Sequence, residues 1–435
     1  MTAALAAATR RAILDTARRL QPDLTALLRE LVRTPSVNPA LPGADGAAGE
    51  GRVQELVAAE LARLGARLDV WEPNGAALAA RYPVLRAMST ADYRGRPNVV
   101  GVLGDAGDLR LILNSHADTV AADRARWRRD PFGGEVEDGW LYGLGAADAK
   151  GSLVAYLGAL RVLREAGVRL AGGVALTSVV DEEAGGGGTL ACIVRGYRAP
   201  GALVGEPTSF AVCPGSRGAF GLAVTVVGRS AHLGVAYQGV NAIEQALPYL
   251  QAFAQLGRDL DRAYLHPLWA PLPAGHVLSV TGIAADTAPG TVPARCSFRC
   301  SVGYTAGERE ADVLARVEAA FAAVTAADPW LRAHPPTIEA VMPSFAPAAA
   351  EADHPLVGAL LLAAGDLGLA VPPVEALSAA TDGRWLTNDG GTPAINFGPG
   401  DMRRGHSPDE ALRLDDFHRA VAWVALAVAR YCGGA

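Results

Sequence analysis

The sequence predicts an α/β protein: a main domain with a mostly parallel sheet flanked by helices, interrupted by a smaller inserted α+β domain. Two observations predict it. Between residues 66 and 204 short apolar runs alternate with stretches of helical spacing, the pattern that strand–helix–strand crossovers require. Near Pro214 the order changes to β-α-β-β-α-β, a split, ferredoxin-like arrangement, and near His334 the first style resumes. The expected domains are residues 1–213 with 334–435, and the insert at 214–333.

Element by element, residues 3–20, 24–34 and 50–64 have helical spacing, with Gly65 as the C-cap of the third. Strands are expected at 66–71, 98–103 and 109–114. A helix at 151–166, a strand at 173–180, a helix at 189–195 and a strand at 202–204 follow. The insert reads as strand 219–227, helix 240–255, strands 276–283 and 294–303, helix 308–324 and a last strand at 337–341. A helix at 355–364, a strand at 394–397 and a helix at 412–431 return to the main domain.

Composition removes several classes. The chain has 435 residues, 50% hydrophobic and 19% charged, which suits a folded soluble protein. Its net charge is −6, and no basic patch argues for nucleic acid. All but one of its 39 basic residues are arginine, the exception being Lys150, a bias of genome composition. No run of 18 apolar residues is present, so no membrane span is expected. Arg10, Arg11, Asp15, Arg18 and Arg19 interrupt the N-terminal apolar pattern, which reads as an amphipathic helix and not a signal peptide. The five cysteines contain no Cys-x-x-Cys, and Cys296 and Cys300 would lie about 13 Å apart on one strand face. Reduced, structural cysteines fit a cytoplasmic protein.

The chemistry gathers at strand ends. Val179–Gly188 runs from an apolar strand into Asp181-Glu182-Glu183 and then four glycines. Adjacent acids in an interior position repel one another and lose hydration unless a cation sits among them. Taken alone, this stretch favours a solvated acidic loop. Strand 109–114 delivers His116-Ala-Asp118, an imidazole and a carboxylate two residues apart; such a carboxylate can fix the tautomer of a metal-binding histidine. Taken alone, the tripeptide favours a capping aspartate beside a core histidine. Gly143-Leu-Gly145 lacks the third glycine of a dinucleotide loop, and Asp148 at its end would repel a pyrophosphate. That argues against a nicotinamide-dependent enzyme. Glu206, held extended by Pro207, follows another strand. His406 lies in a turn-rich run, Phe397–Glu410, ahead of a helix. Together His116, Asp148, Glu182, Glu183, Glu206 and His406 suit two divalent ions, zinc first, with cobalt or manganese as alternatives. One carboxylate is left over as general base.

In their order and spacing these motifs resemble the M20 family of metal-dependent amidohydrolases and peptidases, especially its acetylornithine deacetylase and succinyl-diaminopimelate desuccinylase branch. The resemblance rests on Ser115–Val120, Trp127 with Asp130-Pro-Phe132, Tyr142–Gly151, Asp181-Glu-Glu183, Gly205–Thr208, Thr381-Asp-Gly-Arg384, and Phe397–Gly400 with His406. It covers nearly the whole chain.

The resemblance implies that His116 and Glu206 bind one metal, Glu183 and His406 the other, with Asp148 bridging. Glu182 would be the base and Asp118 would orient His116. A cis peptide is implied after Asp148. Gly228–His232 and Gly239-Val-Asn241 are similar to the family's lid motif, in which the histidine and asparagine reach a partner subunit's site. Arg299 matches the arginine that clamps a substrate carboxylate; a surface strand cation is its other reading. His232 would also help stabilise the oxyanion. The chain departs from the family at Leu144, usually arginine, and Ala149, usually methionine. Ala379-Ala380 replaces a glycine-rich approach, which weighs against a desuccinylase substrate.

The expected activity is hydrolysis of the amide of an N-acyl amino acid or related small molecule, by a homodimer joined through the lid domain. A dipeptidase or carboxypeptidase using the same site is the alternative. An inactive peptide-binding scaffold is a third reading.

Overall fold

The two helices expected at the N-terminus are one. A computed structural model describes residues 5–44, 49–87, 92–286 and 288–433, and in it Ala7–Arg33 runs unbroken with Pro22 inside. Proline removes an amide donor and disfavours a helix interior. Leu20, Leu24, Leu28 and Leu31 nevertheless continue one buried face across it, so packing outweighs local propensity. Ala3 and Ala4, the start of the expected helix, lie outside the described residues.

The chain divides into two units, Met1–Ser216 with Ala349–Leu377 and Thr381–Ala435, and Arg217–Ala348 with Ser378–Ala380. The main domain therefore resumes at Ala349 and not near His334. The reason is the strand Thr337–Phe345, which is longer than expected and pairs antiparallel with Gly218–Val227.

In the first unit, Gly173–Val179, Leu109–His116, Ala202–Val204 and Ala394–Asn396 lie side by side and parallel. Antiparallel neighbours extend this sheet on both sides: Asn98–Leu103 beside Gly173–Val179, and Val212–Ser216 beside Ala394–Asn396. Strand alternation sorts the side chains into two cores. Leu111, Leu113, Val174, Leu176 and Leu203 join one cluster, under the helices Ala7–Arg33, Gly151–Glu165, Pro355–Asp366 and Leu414–Tyr431. Ile112, Ala175, Ala202 and Val204 join the other, with Leu190, Ile193 and Trp385. Burial on both faces explains why these strands read as continuous apolar runs. The carboxyl ends of all four parallel strands share one edge, where open α/β sheets hold their ligands.

The second unit is a four-stranded antiparallel sheet in the order Val277–Ala285, Arg295–Tyr304, Gly218–Val227, Thr337–Phe345. The helices Ala242–Ala263 and Glu310–Ala327 supply Tyr249, Phe253, Val317 and Phe321 to a core with Leu222, Val224 and Phe298.

That unit also encloses a charged triad. His276 is 3% exposed; its Nδ1 lies 2.7 Å from Asp261 and its Nε2 2.6 Å from Glu308. Burial alone would lower the imidazole pKa, but hydrogen bonds to Glu308 and Asp261 outweigh it and raise the value. A histidine pKa raised on folding adds stability that is complete below its unfolded value, about 6.5, and is lost as pH rises through the folded value. His276→Gln is therefore expected to lower stability by about 2 kcal/mol near pH 6. The gap from wild type should narrow as pH rises above 6.5, measured as melting temperature against pH for both proteins.

Candidate metal centre

Three of the parallel strands bring their following residues to one place. Register sets His116 beside Val179 and Asn114 beside Val204. The residues just past Val179 and Val204, Glu182-Glu183 and Glu206, therefore emerge next to His116. The fourth strand, Ala394–Asn396, leads into the turn-rich segment carrying His406. Asp148 comes from the turn ahead of the helix Gly151–Glu165, with a cis peptide to Ala149.

Two donor triads result, His116–Asp148–Glu206 and Asp148–Glu183–His406, each with ligand atoms within 4.8 Å of one another. Asp148 belongs to both and offers a different oxygen to each imidazole. Its Oδ1 is 3.1 Å from His116 Nε2, and its Oδ2 is 3.6 Å from His406 Nε2. His406 Nε2 also lies 3.1 Å from Glu183 Oε1. His406 has φ +56°, and a Cβ on Gly405 would come within 3.0 Å of Asp148 Oδ2. Glycine at 405 is what lets this loop approach so closely.

His116 is buried, and its Nδ1 donates to the main-chain oxygen of Asp118 at 3.0 Å, with the Asp118 carboxylate 3.5 Å away. That commitment leaves Nε2 as the ring nitrogen that faces Asp148 and could hold a metal ion. The Asp118 carboxylate mainly does something the sequence did not suggest. It accepts the amides of Glu182 and Glu183, both at 3.1 Å, and the side chain of Asn38 at 2.7 Å.

Electrostatics give the test of fit to metal. Burial raises the carboxyl pKa of Glu182, and Asp382 raises it further. Burial likewise raises Glu206, with Asp148 adding to the effect, and burial raises Glu183. Burial opposes a charged His116, yet Asp118 and Asp148 raise its pKa well above the ordinary value. The Glu183 hydrogen bond carries His406 to about 9. Two imidazoles and crowded carboxylates at this spacing suit a hard or borderline divalent cation, whose charge would replace the protons that otherwise relieve the repulsion.

All six residues singled out as ligands or base thus converge, and Asp118 stands behind them. His232, Asn241 and Arg299 belong to the second unit. There His232 Nδ1 accepts the Gly234 amide at 3.1 Å, Asn241 caps the helix Ala242–Ala263, and Arg299 is exposed on a strand.

Several neighbours were given no role by the sequence reasoning. Asn38 is one. Glu410, pushed up to about 8 by burial, accepts the amides of Ala147 and Asp148. The buried Arg384 donates to Gly185 at 2.9 Å, as does Trp385. Asp181, with φ +70°, is held by Tyr93, Arg96 and Asn38. The signal for Glu410 was an acid in the His406 segment; none distinguished Asn38 from a turn residue.

Residues 112–430 match the model of peptidase family M20/M25/M40. The N-formyl-4-amino-5-aminomethyl-2-methylpyrimidine deformylase of Halalkalibacterium halodurans is 28% identical over 418 residues, covering 90% of each protein. The acetylornithine deacetylase of Edwardsiella ictaluri is 28% identical over 404 residues, 91% of this chain and 94% of the relative. Among solved structures, the dipeptidase Dug1p of Saccharomyces cerevisiae superposes with a TM-score of 0.73 at 13% identity, covering 98% of this chain and 99% of that one. The match spans most of the sequence and the similarity to these relatives runs nearly end to end: the chain belongs to peptidase family M20/M25/M40 and is a hydrolase of amide bonds.

Proposed function

We propose that the chain is a two-metal deacylase that cleaves the amide of a small N-acyl amino acid or related N-acyl amine. The observation that carries this reading is Asp148, shared between two donor triads and offering one oxygen to each imidazole. His116, Asp148 and Glu206 would hold one ion, and Asp148, Glu183 and His406 the other, with zinc first and cobalt or manganese as alternatives. When bound, such a pair polarises the scissile carbonyl and lowers the pKa of water toward neutrality.

The rest of the work belongs to the chain. Glu182 is not needed by either triad, and its raised pKa suits a group that must accept a proton and give it back. Its carboxylate takes a proton from the attacking water and delivers it to the amide nitrogen, releasing a carboxylic acid and an amine. Asp118 accepts the amides of Glu182 and Glu183, and so fixes the base relative to the ligand beside it. Relatives along most of the sequence are a deformylase and a deacetylase, which supports a small acyl group over a dipeptide.

The second unit is proposed as a lid and dimerisation domain. His232 Nδ1 accepts from Gly234, which leaves Nε2–H to donate to an oxyanion. Arg299 supplies an exposed cation for a substrate carboxylate and Asn241 a second polar contact. A homodimer is supported by the edge strand Val277–Ala285, which exposes Val280 and Ile283; unpaired strand edges with apolar side chains invite pairing with another chain. The five cysteines are buried and free, in keeping with a cytoplasmic enzyme. Among the described residues no helix is long and apolar enough to cross a membrane.

Glu182→Gln is expected to reduce turnover of N-formyl and N-acetyl amino acids by about 10²–10⁴-fold. Metal analysis should still find two ions per chain; near-normal activity would refute the assignment of the base. Dialysis against a chelator is expected to abolish hydrolysis and lower the melting temperature. Added zinc or cobalt should restore both in a concentration-dependent way. Ile283→Lys should shift the mass in solution, by light scattering, from dimer to monomer.

A further inference from the structure

We infer that Glu410 is a positioning residue for the bridging aspartate, and that it acts as a hydrogen-bond acceptor and not as a charge. The inference rests on the two-metal reading above. Glu410 precedes the short strand Ala411–Arg413, which pairs with Trp140–Tyr142, and its own carbonyl accepts the Gly143 amide at 2.9 Å. Its main chain is thereby fixed to the element that leads into the Asp148 turn. The side chain, 1% exposed, reaches into that turn, where Oε1 alone accepts the amides of Ala147 at 2.8 Å and Asp148 at 3.1 Å.

Those amides need it. Asp148 and Ala149 have non-helical backbone angles, so the turn does not run smoothly into the following helix. A buried amide left without an acceptor is costly. The second oxygen, Oε2, is buried with no hydrogen-bond partner among the described residues. The Ala147 and Asp148 amides converge on one oxygen, so one oxygen at the right reach is what the turn requires. Because Asp148 is the one ligand shared by both triads, a shift of its backbone would disturb both ions together. A shift of Glu206 or Glu183 would disturb one. Glu410 also lies four residues beyond His406, so a single segment supplies one ligand and the support for another.

Two variants separate reach from charge. Glu410→Gln keeps an oxygen at the same distance and removes the charge. Glu410→Asp keeps the charge and withdraws the oxygen by one methylene. Zinc titration of the chelator-treated proteins, with melting curves of the apo forms as folding control, should leave E410Q within about threefold of wild type for both ions. E410D should lose roughly 10–100-fold in affinity, with kcat falling and KM little changed. Wild-type affinity in E410D, or a loss in E410Q as large as in E410D, overturns the inference. Should E410D melt below the assay temperature, E410Q decides alone: near-normal zinc uptake sustains the acceptor role, and a tenfold loss overturns it. Wild-type protein that takes up fewer than two zinc ions would sink the two-metal reading itself, an outcome visible before any variant is compared.

Discussion

Like charges held out of water set the terms for this fold. Asp148, Glu182, Glu183 and Glu206 crowd against two imidazoles at one sheet edge, and burial pushes three of the four carboxyls toward their neutral forms. A stable domain gains nothing from such a cluster, because each acid loses hydration and repels the next. The arrangement becomes coherent when divalent cations occupy it. The apolar strands make the crowding possible, since sheet faces buried on both sides leave only the strand ends to carry polar groups.

Holding the acids in place is then a problem of main-chain amides. Asp118 receives those of Glu182 and Glu183, and Glu410 receives those of Ala147 and Asp148. Each carboxylate fixes a neighbouring stretch of backbone. Behind Asp118 stands a further buried layer. Asn38 donates to both Asp118 and Asp181, and Arg96 joins Asp181 to Glu50. Hydrogen bonds to charged acceptors in such surroundings are among the stronger ones in proteins, so Glu182 and Glu183 rest on a network reaching well behind the site.

This division explains what could be read from the sequence. Strands buried on both faces announce themselves as apolar runs, and the acids and histidines at their ends stand out against that background. Hence the parallel sheet and all six proposed ligand and base residues were legible. Asn38 and Glu410 were not, because their roles depend on which carboxylates and amides the tertiary fold brings to them. The break expected between residues 20 and 24 is absent because a buried leucine face continues across Pro22, which is visible only after packing. The boundary near His334 cut off a strand that the β-α-β-β-α-β pattern already gave to the insert: Thr337–Phe345 pairs with Gly218–Val227, and the second unit runs to Ala348.

The two triads are not equivalent in their surroundings. His116 and Glu206 are buried, whereas His406 is 52% exposed and sits on a loop with a left-handed backbone. One proposed ion would thus be held by residues at the ends of packed strands, and the other partly by a segment open to solvent. Asp148 links them, and its position is fixed from behind by Glu410, which belongs to the same segment as His406. The solvent-facing loop and the buried sheet edge are therefore tied through one backbone turn, so that the geometry of the open half is inherited from the closed half.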